Sequence, residues 1–302
     1  ENLRLAKQAF QEMLDYTEKA FTNFVTKNEL PIRPITENVK DLMEKVRSFK
    51  KYILRLTELS DPDRNYIVTH SVKTTILSIA IGITLRLPPH KQIELGLCSL
   101  LHEIGMIRLP PQLYMSEKAL NEKERKAITA HPVIGFKILK QYSFPMPVCL
   151  GVLESHENLD GSGYPRKLTG EKISLYAKII NVCGSYAALI SKRPYRSARE
   201  GHNSILDLLK QRGKQYDESV LRALVKNLSI FPIGTYVLLS NGSRALVTES
   251  DAENPRTPVV QIVATADGDR LTEYPIVRTN NSTYSIVRPL AKQEIENISL
   301  EA

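Results

Sequence analysis

Apolar side chains recur at steps of three and four residues through residues 2–28, at Leu3, Ala6, Phe10, Met13, Phe21 and Phe24. One face of an amphipathic helix has this period. After a break from Pro31 to Pro34 the period resumes at about Thr36 and runs along Val39, Leu42, Val46, Phe49, Ile53 and Leu56, predicting a second helix. Neither segment carries a titratable cluster, so both are expected to serve packing or homodimer formation.

The turn Asp61-Pro62-Asp63 precedes a long helix that carries Tyr66, His70 and an apolar body (Ile76, Ile79, Ala80, Ile83) up to Leu87. Pro88-Pro89 opens the next helix, whose apolar run from Ile93 to Leu101 is followed at once by His102-Glu103-Ile104-Gly105. Asn121 with Glu124 three residues on has the form of a helix start. His131-Pro132 opens another amphipathic segment, and Pro145 to Glu157 forms a helix that ends on His156-Glu157. A Gly-rich loop, Asp160-Gly161-Ser162-Gly163-Tyr164-Pro165, comes next. Then follow an apolar helix from Ile173 to Ile190, the stretch Arg193-Pro194-Tyr195-Arg196, and helices at roughly 202–212 and 217–228.

From Phe231-Pro232 onward the period shortens. Short β-type runs (236–239, 245–248, 259–264, 284–287) are separated by the turn pairs Asn241-Gly242 and Asp267-Gly268. The expected fold is therefore mainly α with three regions: N-terminal helices over 1–60, a helical domain over 61–230, and a small β-barrel with a tail over 231–302. The barrel has neither a glycine-rich nucleotide motif nor clustered aromatics, so packing or interaction is its expected role.

Composition changes this picture little. The apolar fraction of 42% over 302 residues can bury a sizeable core. The longest charge-free stretch near the middle, Thr74 to Leu85, is too short to cross a bilayer, and no signal-peptide pattern opens the chain. A start at Glu1 without Met reads as a fragment. Cys98, Cys149 and Cys183 each lie in an apolar run and read as buried reduced thiols, which favours the cytoplasm. The net charge of +8 is uneven: residues 231–302 hold six Lys/Arg against nine Asp/Glu, leaving +11 on residues 1–230. A basic first part suits an anionic partner such as a phosphate ligand, although many surfaces are basic for solubility alone. No DNA partner is expected.

The candidate chemistry lies in four histidines. His70, His102, His131 and His156 each fall at or near a helix end, at intervals of 32, 29 and 25 residues, with Glu103 and Glu157 beside two of them. One ligand per helix is how metal sites in helical bundles are assembled. Histidines at helix ends are also common as caps or core residues, so spacing alone leaves both readings open. His90 and His202 lie in polar surroundings and are expected at the surface.

Taken in order, His70-Ser71, His102-Glu103-Ile104-Gly105, His131-Pro132, His156-Glu157 with Asp160 to Pro165, and Arg193 to Arg196 resemble the HD-GYP family. That family is a subgroup of the HD metal-dependent phosphohydrolases that hydrolyse cyclic di-GMP. The resemblance covers about residues 60–230 and implies an HD-type bundle. It implies metal ligands at His70, His102, Glu103, His131, Ser155, His156 and Gly184, iron or manganese as the metal, and ligand contacts from Gly161, Gly163, Tyr164, Arg193 and Arg196.

The departures fall on the chemistry. Glu103 stands for an aspartate, Ser155 for a histidine, Gly184 and Ala187 for aspartates, and Met106 for a lysine that faces the scissile phosphate. One metal would keep His70, His102 and Glu103, the other Glu103, His131 and His156, each short of one ligand. Cys183 adjoins the gap, but neighbouring helical positions point about 100° apart, which makes it a poor substitute. The expectation is a degenerate HD-GYP protein, catalytically weak or inactive, serving as a regulatory or interaction module with cyclic di-GMP as its candidate ligand and a protein partner still to be identified. The alternatives are an active phosphodiesterase using the remaining ligands, with Glu103 as the catalytic carboxylate, and a protein-interaction scaffold without nucleotide binding.

Overall fold

The computed structural model describes residues 1–59, 64–115, 121–191, 199–251 and 253–299. The expected turn Asp61-Pro62-Asp63 and the stretch Arg193 to Arg196 lie outside these residues. The helices are α1 (Asn2–Lys27), α2 (Ile32–Leu56), α3 (Tyr66–Thr84), α4 (Pro89–Leu101), α5 (Gln112–Met115), α6 (Glu122–Ile128), α7 (His131–Gln141), α8 (Met146–Glu154), α9 (Leu175–Ile190), α10 (Gly201–Lys210), α11 (Glu218–Leu228) and α12 (Lys292–Ser299). The strands are β1 (Tyr236–Leu239), β2 (Arg244–Glu249), β3 (Val259–Ala264), β4 (Ile276–Arg278) and β5 (Ile286–Pro289). The chain divides into two compact units: residues 1–199 with 207–223, and residues 200–206 with 224–302.

In the first unit, α1 buries Ala6, Met13, Phe21 and Phe24, as its period predicts, and Asn28 ends it in the left-handed conformation with φ 57°. The second helix starts earlier than expected, at Ile32, and takes in Pro34. A proline in the first turn removes an N–H that has no intrahelical partner there, so it does not break the helix. Asn121 and Glu124 form the expected reciprocal cap, the Glu124 N–H donating to Asn121 Oδ1 at 3.0 Å and the Asn121 N–H to Glu124 Oε2 at 2.8 Å.

The centre of this unit is α3, which packs against α1, α2, α4 and α9. By length and composition α3 is apolar enough to cross a membrane, which corrects the shorter stretch read from Thr74; yet 89% of its most apolar window is buried inside the protein. Lys73 had cut that reading short. Its buried ammonium donates to Leu59 O at 2.7 Å and Ser191 Oγ at 3.3 Å, so the charge sits inside the core with partners. The side chain of Asn65 caps the helix by accepting from the Ile67 N–H at 2.9 Å. All three cysteines are buried and unpaired.

The second unit holds a five-stranded antiparallel sheet in the order β4-β3-β2-β1-β5. Strict alternation in β1 and β3 turns Val237, Leu239, Val260 and Ile262 into one core with Ala245 and Val247 of β2. Gly242, at φ 85°, supplies the left-handed residue of the β1–β2 turn. The sheet is open: among the described residues β4 and β5 each pair along one edge only, so the expected barrel is not closed. In the same unit His202, expected at the surface, is buried, with Nδ1 2.8 Å from Ile230 O and its ring stacked on Phe231 at 4.7 Å. A flat imidazole covers an aromatic face well once its nitrogen has an acceptor. His90 is exposed, as expected.

Candidate metal centre

Four helix ends of the first unit meet at one point. His70 lies one turn into α3, His102 caps the C-terminus of α4, His131 is the first residue of α7, and His156 follows the α8 cap, Ser155. Glu103, which opens the 3-10 turn Ile104–Arg108 after α4, stands among them. Its carboxylate lies 3.8 Å from His70 Nε2, 3.6 Å from His102 Nε2, 3.4 Å from His131 Nε2 and 3.7 Å from His156 Nε2. Gly105 makes this approach possible, because a Cβ there would stand 2.0 Å from His131 O.

The rings are oriented by the backbone behind them. His102 Nδ1 is 2.7 Å from Ser99 O and His131 Nδ1 is 2.7 Å from Ile128 O. A carbonyl only accepts, so the proton of each neutral ring sits on Nδ1 and the Nε2 lone pair faces Glu103. Tyr66 stacks on His70 with ring centroids 5.4 Å apart, and Tyr164 stacks on His156 at 4.9 Å. Spacing of four residues on one helix would have revealed the Tyr66 contact; the Tyr164 contact needs the loop.

Burial works against charge here. It lowers the His102 imidazole, against the pull of Glu103, and lowers His131 to about 4. Burial would likewise raise the Glu103 carboxyl, but His131, His156 and His102 outweigh it and hold Glu103 well below the usual carboxylate range. The His102 and His131 imidazoles thus favour the neutral form and Glu103 the anionic one, which is the protonation state metal ligands need.

Among the described residues, two groups have ligand atoms that all lie within 4.8 Å of one another: His70, His102 and Glu103, and Glu103, His131 and His156. The donor set suits a divalent cation in two further respects. His102 Nε2 is buried without a hydrogen-bond partner, and His131 Nε2 and His156 Nε2 face each other at 3.0 Å. Opposed lone pairs need either a shared proton or a cation.

The remaining sequence candidates divide. Gly184, on α9, is at the cluster: a Cβ there would lie 3.8 Å from Nε2 of both His70 and His102. Cys183 is buried, and burial pushes its thiol up to about 12, so it remains protonated and is no thiolate donor. The Ser155 hydroxyl donates to Val152 O at 2.9 Å, and Met106 is buried in the 3-10 turn. Arg193 and Arg196 lie outside the described residues.

Glu157, which shares a helix end with His156, faces the other way. Its Oε1 accepts from the Arg166 N–H at 2.7 Å and its Oε2 from the Leu168 N–H at 2.9 Å. Glu154 takes the Arg166 guanidinium and, at 2.8 Å, the Ser174 N–H. These two buried carboxylates tie down the loop that Gly161 and Gly163 shape, Gly161 at φ 79° and Gly163 where a Cβ would stand 2.4 Å from His156 O. Nothing in the sequence marks Glu154 or Glu157 for this work, because, apart from the Arg166 guanidinium on Glu154, their partners are backbone N–H groups that any residue carries.

Comparison with known proteins agrees with this architecture. Residues 47–220 match the HD domain model, and residues 236–298 match that of the KOW domain associated with HD domains. The cyclic di-GMP phosphodiesterase PdeB of Borreliella burgdorferi is 33% identical over 252 residues, 83% of this chain and 65% of its own length. A cyclic di-GMP phosphodiesterase of Pseudomonas aeruginosa is 33% identical over 239 residues, 76% of this chain and 56% of its own. The chain thus spans less than two thirds of either relative. Among solved structures, an HD-GYP-type protein of Bdellovibrio bacteriovorus superposes with a TM-score of 0.61 over 74% of this chain and 71% of its own, at 17% identity, a likeness of fold alone. An HD-domain match over more than half the chain, with these relatives and this cluster of helix-end histidines, makes the chain a member of the HD-GYP family.

Proposed function

We propose that the chain is a catalytically weak, metal-dependent HD-GYP module that binds cyclic di-GMP, hydrolyses it slowly and serves regulation through the bound nucleotide. The observation that carries the reading is the Glu103 carboxylate within 3.8 Å of four histidine Nε2 atoms. His70 and His102 would hold one iron or manganese ion, His131 and His156 a second, with Glu103 shared. The metal pair supplies Lewis-acid polarisation of a phosphate and an activated water. The substrate class follows the two relatives, both named cyclic di-GMP phosphodiesterases.

The chain's own residues account for the weak rate. Gly184 and Ser155 bring no ligand, so each half of the centre relies on three side chains. Met106 brings no cation to the charge that develops on the phosphate, and a missing donor of that kind costs about 2.7–4 kcal/mol of barrier in other hydrolases. The loop from Asp160 to Pro165, followed by the segment that Glu154 and Glu157 hold, presents Tyr164 over His156, where its ring would meet a bound nucleotide. Arg193 and Arg196 would pair with its phosphates.

Protein purified without oxygen is to be analysed for iron and manganese and assayed for linearisation of cyclic di-GMP after loading with either metal. Bound metal with slow turnover and micromolar nucleotide binding supports the proposal. Turnover at ordinary enzyme rates, or a protein that takes neither metal nor nucleotide, overturns it.

A further inference from the structure

The two halves of the centre face different surroundings. His131 and His156 stand with their Nε2 atoms 3.0 Å apart and His156 is stacked under Tyr164. The half made by His70 and His102 instead faces the backbone of α9 at Gly184. A Cβ at that residue would be 3.8 Å from each Nε2 and 3.9 Å from Thr74 Cγ2, with nothing nearer. This glycine is not there for close packing. At Gly105 and Gly163 an added Cβ would lie within 2.4 Å of backbone, whereas at Gly184 it would make ordinary contacts.

One buried polar atom borders this room without a hydrogen-bond partner, His102 Nε2, and Thr74 meets the room with its methyl carbon Cγ2. His102 is 1% exposed and aims Nε2 inward because Nδ1 is committed to Ser99 O. Orphaned polar atoms of this kind are costly unless something meets them. A cation on His70, His102 and Glu103 would meet the imidazole, yet it would carry one shared carboxylate for a double positive charge. Hard anionic oxygen is the ligand chemistry that then remains in demand.

Resting on the metal-binding reading above, we infer that the room at Gly184 is an open coordination position that takes a small exogenous oxyanion. A carboxylate such as formate or the terminal oxygen of a phosphate monoester would bind the ion held by His70, His102 and Glu103. The chain thereby exchanges a built-in carboxylate for one supplied from solution. Metal affinity in this half becomes linked to anion concentration, because each stabilises the binding of the other. Hydrolysis of a cyclic dinucleotide creates a phosphate monoester that the intact ring lacks, so product is favoured over substrate at this position.

The test uses the metal-free full chain and cobalt(II), followed by calorimetry and by visible absorption, with formate, methyl phosphate or bulky pivalate present. Outer-shell partners alone move metal affinity by about 10–100-fold, so a direct ligand is expected to tighten cobalt binding at least about tenfold. Formate and methyl phosphate should each do so and shift the cobalt spectrum, while pivalate should do neither. Gly184→Asp should bind cobalt tightly without formate and ignore its addition. Cobalt that binds wild-type protein with a spectrum and affinity indifferent to both small anions overturns the inference and leaves the metal reading standing, as does a formate response in Gly184→Asp equal to that of wild type. Failure to bind cobalt at all overturns both. The formate and pivalate comparison on wild type decides the matter even if the variant does not fold.

Discussion

Two buried helices of this chain, α4 and α8, lead into the same dipeptide, His102-Glu103 and His156-Glu157. Both histidines join one cluster, but the carboxylates part. Glu103 turns toward four imidazoles, none nearer than 3.4 Å, and Glu157 turns away to two backbone N–H groups at 2.7 and 2.9 Å. A carboxylate accepts from whatever donors or cations its surroundings offer. Around residue 103 the chain has placed nitrogen lone pairs, which demand a cation. Around residue 157 it has placed the orphan amides of a returning loop, which demand an acceptor. One carboxylate is thus a candidate ligand and the other a structural clamp, although the local sequence is the same.

This contrast can be broken by exchanging either carboxylate for its amide. Glu103→Gln is expected to lower metal affinity in both halves at once, by at least about 100-fold, since the shared anion is gone. Metal titration checks it, and near wild-type binding would show that Glu103 is not the common ligand. Glu157→Gln is expected to leave metal affinity within a few-fold of wild type and to lower unfolding free energy by about 2–3 kcal/mol, because one amide N–H then faces a backbone N–H. Denaturation with the same metal titration reads both quantities. A variant that keeps its stability and loses metal would reverse the assignment.

Acid sharpens the comparison from the histidine side. Burial holds His131 down at about 4, against 6.5 for an unburied imidazole. Between those values the unfolded chain takes up a proton that the folded one refuses, so the stability of the metal-free protein falls as pH falls from 6.5 toward 4. The contribution of this group is at most about 3 kcal/mol. The lowered Glu103 carboxyl acts in the same direction, from its ordinary value of 4.5 downward. Urea unfolding at steps across it is the check, and a flat profile would mean that His131 is not buried neutral. The smallest effect belongs to Asn181, whose amide donates to Glu157 O at 2.6 Å and to Asn158 Oδ1 at 3.1 Å. Asn181→Ala is expected to cost about 1 kcal/mol in the same unfolding assay and to leave metal binding unchanged.

Much of this molecule is legible in its residue pattern. The faces of α1 and α2, the Asn121 cap and the change of period at Phe231 all depend on residues close in the chain. The four histidines were legible as candidates because each falls at a helix end. What escaped were features set by distant partners. β4 has only three residues and exposes Ile276, so no alternation announces it. The charge of Lys73 concealed the length of the apolar span in α3, and the polar neighbours of His202 concealed the Phe231 ring that covers it.

The order of motifs along the sequence determined the family, the helical frame and the positions that depart from the family resemblance, at 106, 155, 184 and 187. Side-chain period and residue identity are local properties, and they suffice for that. Only the tertiary structure decided that Glu157 turns to the backbone of the returning loop, and that Gly184 opens toward His70 and His102 rather than relieving a clash. Those outcomes depend on which atoms from distant segments arrive within a few ångströms, and neither period nor spacing contains that information.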